Sequence, residues 1–186
     1  SHTWKGSVKI PESFEDRHIL DEGGNAIPLQ RTEEGVFALV ELNSLSFTTF
    51  KKGDSVVYNL KKDDNLSLEN NLVRYEFDEK GTLISAYDKE LEKEFMAGHG
   101  NVLSLYEDRP NNWDAWDVDF FYREALIEKA EATHASSHSK GSVLQQLKFE
   151  FKIGNSSIQQ LVSLNPLSKR LDFLTNVDWY ENHKML

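Results

Sequence analysis

The feature that most constrains this chain is a two-residue alternation of apolar and polar side chains toward its C-terminal end. In Val143-Leu-Gln-Gln-Leu-Lys-Phe-Glu-Phe-Lys-Ile153, one face carries Val143, Leu147, Phe149, Phe151 and Ile153, and the other carries Gln146, Lys148, Glu150 and Lys152. Successive Cβ atoms of a strand point to opposite faces, so this spacing predicts a half-buried strand. Leu171-Asp-Phe-Leu-Thr-Asn-Val-Asp-Trp179 repeats the pattern, with Leu171, Phe173, Val177 and Trp179 expected inward and Asp172, Asn176 and Asp178 outward. Gly154-Asn155-Ser156 and Asn165-Pro166 are turn-forming, which makes Ser157 to Leu164 the strand joining two hairpins.

The same period recurs upstream. Leu72 to Phe77 alternates, runs into Asp78-Glu-Lys-Gly81 and alternates again from Thr82 to Tyr87, which predicts a hairpin. Further strands are expected at Ser7 to Ile10, Val36 to Leu42, Leu45 to Phe50 and Ser55 to Tyr58, punctuated by Gly24, Gly35 and Gly53. Glu124-Ala-Leu-Ile-Glu-Lys-Ala-Glu-Ala132 is rich in helix formers. Strands flank it, however, and Lys129, Glu131 and Thr133 fit the outer face of a strand over residues 122–133, so it is read as strand. The class is therefore all-β, an antiparallel β-sandwich. The polar stretch Lys61-Lys-Asp-Asp-Asn65 divides an N-terminal β subregion, residues 1–62, from residues 63–186, and the two are expected to share one core.

Composition removes several functions. Cysteine is absent, which excludes disulfides, thiolate metal sites and a cysteine nucleophile, and favours a reducing, cytoplasmic setting. Thirty-one acids against 21 bases leave a net charge of -10, which repels phosphate backbones and acidic lipid surfaces, so neither nucleic acid nor membrane is an expected partner. No apolar run approaches the roughly 20 residues of a membrane span, and no signal-type segment opens the sequence. Gly-Xaa-Ser-Xaa-Gly, P-loop and Gly-Xaa-Gly-Xaa-Xaa-Gly motifs are missing.

The most informative stretch is Tyr106-Glu-Asp-Arg-Pro-Asn-Asn-Trp-Asp-Ala-Trp-Asp-Val-Asp119. A sugar stacks its C–H face on an indole while its hydroxyls donate to a carboxylate, so Trp113, Asp114, Trp116 and Asp117 are candidate substrate-binding residues. The competing reading makes the tryptophans core anchors and the acids turn caps. Asp114 and Asp117 suggest a glycosidase acid and nucleophile, but acids are dense throughout this chain and the pair is not read as catalytic. His134-Ala-Ser-Ser-His138 has a metal-like i, i+4 spacing with no third ligand in view, and is read as a solvated Ser-rich loop.

A set of ordered motifs resembles glycoside hydrolase family 38 α-mannosidases. Leu68-Glu-Asn-Asn-Leu-Val-Arg-Tyr-Glu-Phe-Asp-Glu-Lys-Gly-Thr-Leu-Ile-Ser-Ala-Tyr-Asp-Lys89 is similar to the start of their C-terminal β domain. Glu94-Phe-Met, Asn101-Val-Leu, Tyr106-Glu-Asp-Arg-Pro, Trp113-Asp-Ala-Trp-Asp117 and Val177-Asp-Trp-Tyr-Glu-Asn-His-Lys-Met-Leu186 follow in order. Trp-Asp-Ala-Trp-Asp resembles the bacterial and cytosolic branch. Val8-Lys-Ile-Pro, Leu20-Asp-Glu-Gly-Gly-Asn and Pro28-Leu-Gln are similar to the region preceding that domain, so the resemblance covers nearly the whole chain.

The resemblance implies a galactose-mutarotase-like supersandwich, truncated at its C-terminal side, in a parent enzyme that hydrolyses mannose-containing glycans with retention. The family's aspartate nucleophile and its zinc, held by His and Asp, belong to an N-terminal α/β domain, so no residue here is expected to be catalytic or a metal ligand, and no cofactor is expected in this chain. The expected partners are that catalytic domain and a mannose-containing oligosaccharide. A truncated sheet also leaves unpaired backbone, so self-association through sheet edges is expected. Two alternatives remain: an independent carbohydrate-binding module, and a sugar epimerase using His99 and Glu94.

Overall fold

A computed structural model describes residues 3–58, 64–113 and 116–186. It is built from antiparallel strands and short 3-10 turns, with no α-helix among the described residues. In the first region, β1 (Trp4–Lys9), β4 (Gly35–Leu42) and β3 (Leu29–Thr32) form one sheet in the order β1-β4-β3. Next to it, β2 (Arg17–Leu20) pairs with β5 (Lys51–Ser55). Their alternating apolar residues enclose a core of Ile10, Ile19, Val36, Ala38 and Val40.

The second region opens with a meander of β6 (Ser67–Glu69), β7 (Val73–Phe77), β8 (Leu83–Asp88) and β9 (Lys93–Glu94). A second four-stranded sheet holds β12 (Ala132–Lys140), β13 (Gln145–Ile153), β14 (Ser156–Leu164) and β15 (Leu171–Asp178) in sequence order. Leu68, Val73, Phe77 and Leu83 of the meander share an apolar core with Leu147, Phe149, Phe151 and Ile153 of β13. The Phe77 and Phe149 rings lie 5.3 Å apart. This is a sheet-on-sheet sandwich, as the alternation predicted. A third sheet places β10 (Ser104–Glu107) between β11 (Leu126–Lys129) and β16 (Lys184–Met185).

The meander's turn is shaped by chemistry visible in the sequence. Asp78 Oδ1 accepts from the Lys80 and Thr82 amides at 3.0 and 2.8 Å, and Gly81 adopts φ +80°. A Cβ on Gly81 would meet the Phe151 ring at 2.6 Å, so glycine serves both the turn and its close approach to the core. The two regions meet through a polar contact. Gln30 Nε2 donates to Ser139 Oγ and to the Leu144 carbonyl, both at 2.7 Å, while its Oε1 accepts from the Val143 and Leu144 amides at 3.0 and 2.9 Å.

Several expectations are corrected. Leu45 to Phe50 is not a strand, and β5 begins at Lys51, because the ladder with β2 runs from Arg17↔Ser55 to Leu20↔Lys51. His134 to His138 is no loop: it belongs to β12, whose backbone pairs with β13 from Ala132↔Phe151 to Lys140↔Gln145. Gln146, expected on the outer face, is buried and donates to Ser163 Oγ at 3.1 Å. Phe173, Val177 and Trp179, expected inward, are exposed. Residues 122–133 are not one strand: a 3-10 turn at Phe120–Glu124 leads into β11, and after a break at Ala130 and Glu131 the chain enters β12 of another sheet, so the strand reading of the helix-forming segment is met in part. Of the proposed boundary, Lys61, Lys62 and Asp63 lie outside the described residues.

Candidate functional site: an aromatic and acidic turn

Strand β10 carries the chain out to the segment rich in tryptophan and acid. At its base, Tyr106 packs edge-on against Tyr122 with ring centroids 5.3 Å apart. Arg109 Nε lies 2.9 Å from Glu107 Oε1, and the Asp108 amide donates to the His183 carbonyl at 2.8 Å. These contacts tie both ends of the loop to the third sheet. The loop is closed across its neck, where the Asn111 amide donates to Asp119 Oδ2 at 2.7 Å.

Beyond the neck the backbone turns sharply. Trp113 adopts φ +60°, a conformation that a bulky side chain rarely takes. Its carbonyl accepts from the Trp116 and Asp117 amides at 2.7 and 3.0 Å. Trp113 is 73% exposed and Trp116 87% exposed, and Asp117 is exposed as well. Asp114 lies outside the described residues. The core-anchor reading of the two tryptophans is therefore wrong: their indoles face outward on a strained turn, which suits stacking against a ligand or a partner.

The geometry adds residues that the sequence reading passed over. Val118, Phe120, Leu126 and Ile127 are also exposed, Leu126 and Ile127 on opposite sides of β11, so exposed apolar side chains accompany the turn. A usable signal was present, since four large apolar residues lie close to two tryptophans in a chain otherwise dense with charge. Single exposed apolar side chains are ordinary, whereas a run of them marks a contact surface.

Other candidates are put to structural use. Glu94 accepts from Ser85 Oγ at 2.6 Å and from the Ala86 and Met96 amides at 2.8 Å each. The Ser85 hydroxyl first, and then the two amides, hold its carboxyl below the usual range, which suits a turn clasp better than a proton shuttle beside His99. Among the described residues, no group of three or more His, Asp and Glu side chains is arranged to hold a metal ion. Glu181 is buried, accepting from the Asn155 amide at 2.5 Å and Ser156 Oγ at 3.3 Å and pairing with Lys184. It fastens the chain after β15 to the β13–β14 turn.

A family model described as glycosyl hydrolases family 38 C-terminal domain matches residues 68–186. Alpha-mannosidase G of Dictyostelium discoideum is 28% identical over 203 residues, which cover 96% of this chain and 18% of that protein. Alpha-mannosidase 2C1 of Homo sapiens is 30% identical over 128 residues, covering 67% of this chain and 12% of its own length, and the Mus musculus protein of the same name gives the same figures. The chain thus spans less than a fifth of the length of these relatives.

Proposed function

Because the chain belongs to glycosyl hydrolase family 38, with most of its length in the C-terminal domain, we propose that it is a non-catalytic β-sandwich segment of a retaining α-mannosidase acting on mannose-containing glycans. In this reading the bond-breaking residues and the zinc lie in an N-terminal α/β domain of a cytoplasmic parent enzyme. That zinc would supply electrostatic stabilisation to the sugar there, while the residues of this chain bind and orient. The observation that carries the reading is the outward presentation of Trp113 and Trp116, with Asp117 beside them, on a turn fastened at its neck. The indoles give a sugar ring flat apolar contact and the carboxylate accepts its hydroxyls. Val118 and Phe120, exposed next to the turn in sequence, add apolar surface suited to packing against the catalytic domain.

The test is kinetic. In the full-length enzyme, Trp113→Ala should lower kcat/KM on a mannoside by about tenfold, roughly 1.4 kcal/mol of transition-state stabilisation, with Tm unchanged. Unchanged kinetics with a lowered Tm would assign the indole a purely structural role. The same exposed indoles also suit an independent carbohydrate-binding module. Retained glycan affinity in the isolated chain, with no kinetic effect of Trp113→Ala in the enzyme, favours that second reading.

A further inference from the structure

The third sheet, which carries the Trp113 turn between β10 and β11, is held to the sandwich differently at its centre and at its flanks. In the central strand, β10, Leu105 is fully buried and belongs to the core shared by the meander and β13. Neither flanking strand adds a buried side chain of its own: β11 is exposed along its whole length and β16 is half-buried. The flanks reach the sandwich through carboxylates instead. Both arrive at one place, the turn between β13 and β14.

Ile153 pairs with Ser156 in the hairpin ladder, which leaves Gly154 and Asn155 as a two-residue loop. Their amides find acceptors outside the hairpin. The Gly154 amide donates to Glu128 Oε1 of β11 at 2.7 Å, and the next amide, that of Asn155, donates to Glu181 Oε1 at 2.5 Å. Glu181 in turn pairs with Lys184 of β16, so each flank of the third sheet is joined to its own amide. Ionised acceptors make the stronger hydrogen bonds. Glycine is needed at the first position, because at φ +56° a Cβ on Gly154 would lie 2.5 Å from Glu181 Oε1.

The same contacts lead to the roots of the Trp113 loop. Two residues after Glu181, His183 sits at φ +52°, a conformation that costs energy and persists where the surroundings impose it. There its carbonyl accepts the Asp108 amide at 2.8 Å, where the loop leaves β10. At the other root the Glu107 amide donates to the Ala125 carbonyl at 2.9 Å, and Glu128 follows within β11. We propose that Glu128 and Glu181 are positioning residues: together they dock both flanks of the third sheet on the β13–β14 turn and so fix the direction in which Trp113 and Trp116 face. The kinetic consequence rests on the substrate-facing reading above, whereas the docking does not.

Amide hydrogen exchange in the 186-residue chain tests the docking. Glu128→Ala and Glu181→Ala should each speed exchange over residues 104–111 and 126–129 about tenfold, with β13 and β14 unchanged. Glu128→Gln keeps an accepting oxygen for the Gly154 amide and should restore the protection. Glu128 is exposed, so Glu128→Ala decides the matter alone if Glu181→Ala unfolds the chain. Unchanged exchange in the alanine variants overturns the proposal, as does an equal rise across β13 and β14, which marks general loosening. In the full-length enzyme, Glu181→Ala should lower kcat/KM about threefold, mainly through KM, and should add nothing in a Trp113→Ala background, because it acts through the indole. An undiminished effect in that background overturns the positioning of the turn, as does no effect beside a damaging Trp113→Ala. If Trp113→Ala is itself silent, the substrate-facing reading falls, and faster exchange in the alanine variants still supports the docking.

Discussion

Strands β13 and β15 carry nearly the same alternation, yet one is among the most buried elements and the other among the most exposed. β13 pairs with strands on both sides and has the meander over its apolar face, and Phe149 is 0% exposed. Among the described strands β15 pairs only with β14; Phe173 is 42% exposed, and every residue from Asp172 to Asp178 is exposed. Alternation therefore decides which side chains share a face, but whether that face is dry depends on what packs over it.

The contrast can be broken most directly in the core. Phe149→Ala should cost about 3–5 kcal/mol in urea unfolding, while Phe173→Ala should cost less than about 1 kcal/mol. Equal losses would mean that β15 is covered in solution. Gly81→Ala should cost about 2 kcal/mol, because the new methyl meets the Phe151 ring and the turn keeps its positive φ. A stability unchanged by that substitution would show that the turn can move away from β13 freely.

The exposed strand gives a prediction about association. We propose that the open β15 edge pairs with a second copy of the chain, so light scattering should detect a dimer whose dissociation constant rises severalfold in Val177→Lys. A monomer at all concentrations would remove that reading. The smallest expected effect concerns pH. The ion pair with Lys184, and then the Asn155 amide, hold the Glu181 carboxyl below the usual carboxylate range. A depressed pKa stabilises the fold above the ordinary value of about 4.3, and this contribution is lost as pH falls through the lower folded value. Glu181→Gln should flatten that part of the acid limb in thermal melts, and an unaltered limb would show that other carboxylates dominate it.

Much of the fold was legible because the responsible interactions are local. The Asp78 to Gly81 turn and the alternation of β7, β8, β13 and β14 follow from neighbouring side chains, whereas residues 126–129 are strand against their local helix propensity because they pair with β10. Leu45 and Phe47 misled because their alternation has no ladder to join, and both are fully exposed. His134 to His138 misled in the opposite sense: serine and histidine resemble a loop by composition, yet backbone pairing with β13 is indifferent to side chains and makes them a strand. At the candidate site, the sequence identified Trp113, Trp116 and Asp117 as belonging together but left open whether the indoles point in or out. Their outward direction depends on the positive φ of Trp113 and the neck between Asn111 and Asp119.

By itself, then, the sequence determined the all-β class, the register-setting turns and the family, since each rests on residue order over a few positions. Only the tertiary structure decided which alternating faces are covered, that Gln30 locks the first region to the Ser139–Leu144 turn, and that Glu128 and Glu181 meet on the β13–β14 turn. Burial and contact are properties of surfaces brought together from distant parts of the chain, and no local pattern encodes which surface will meet which.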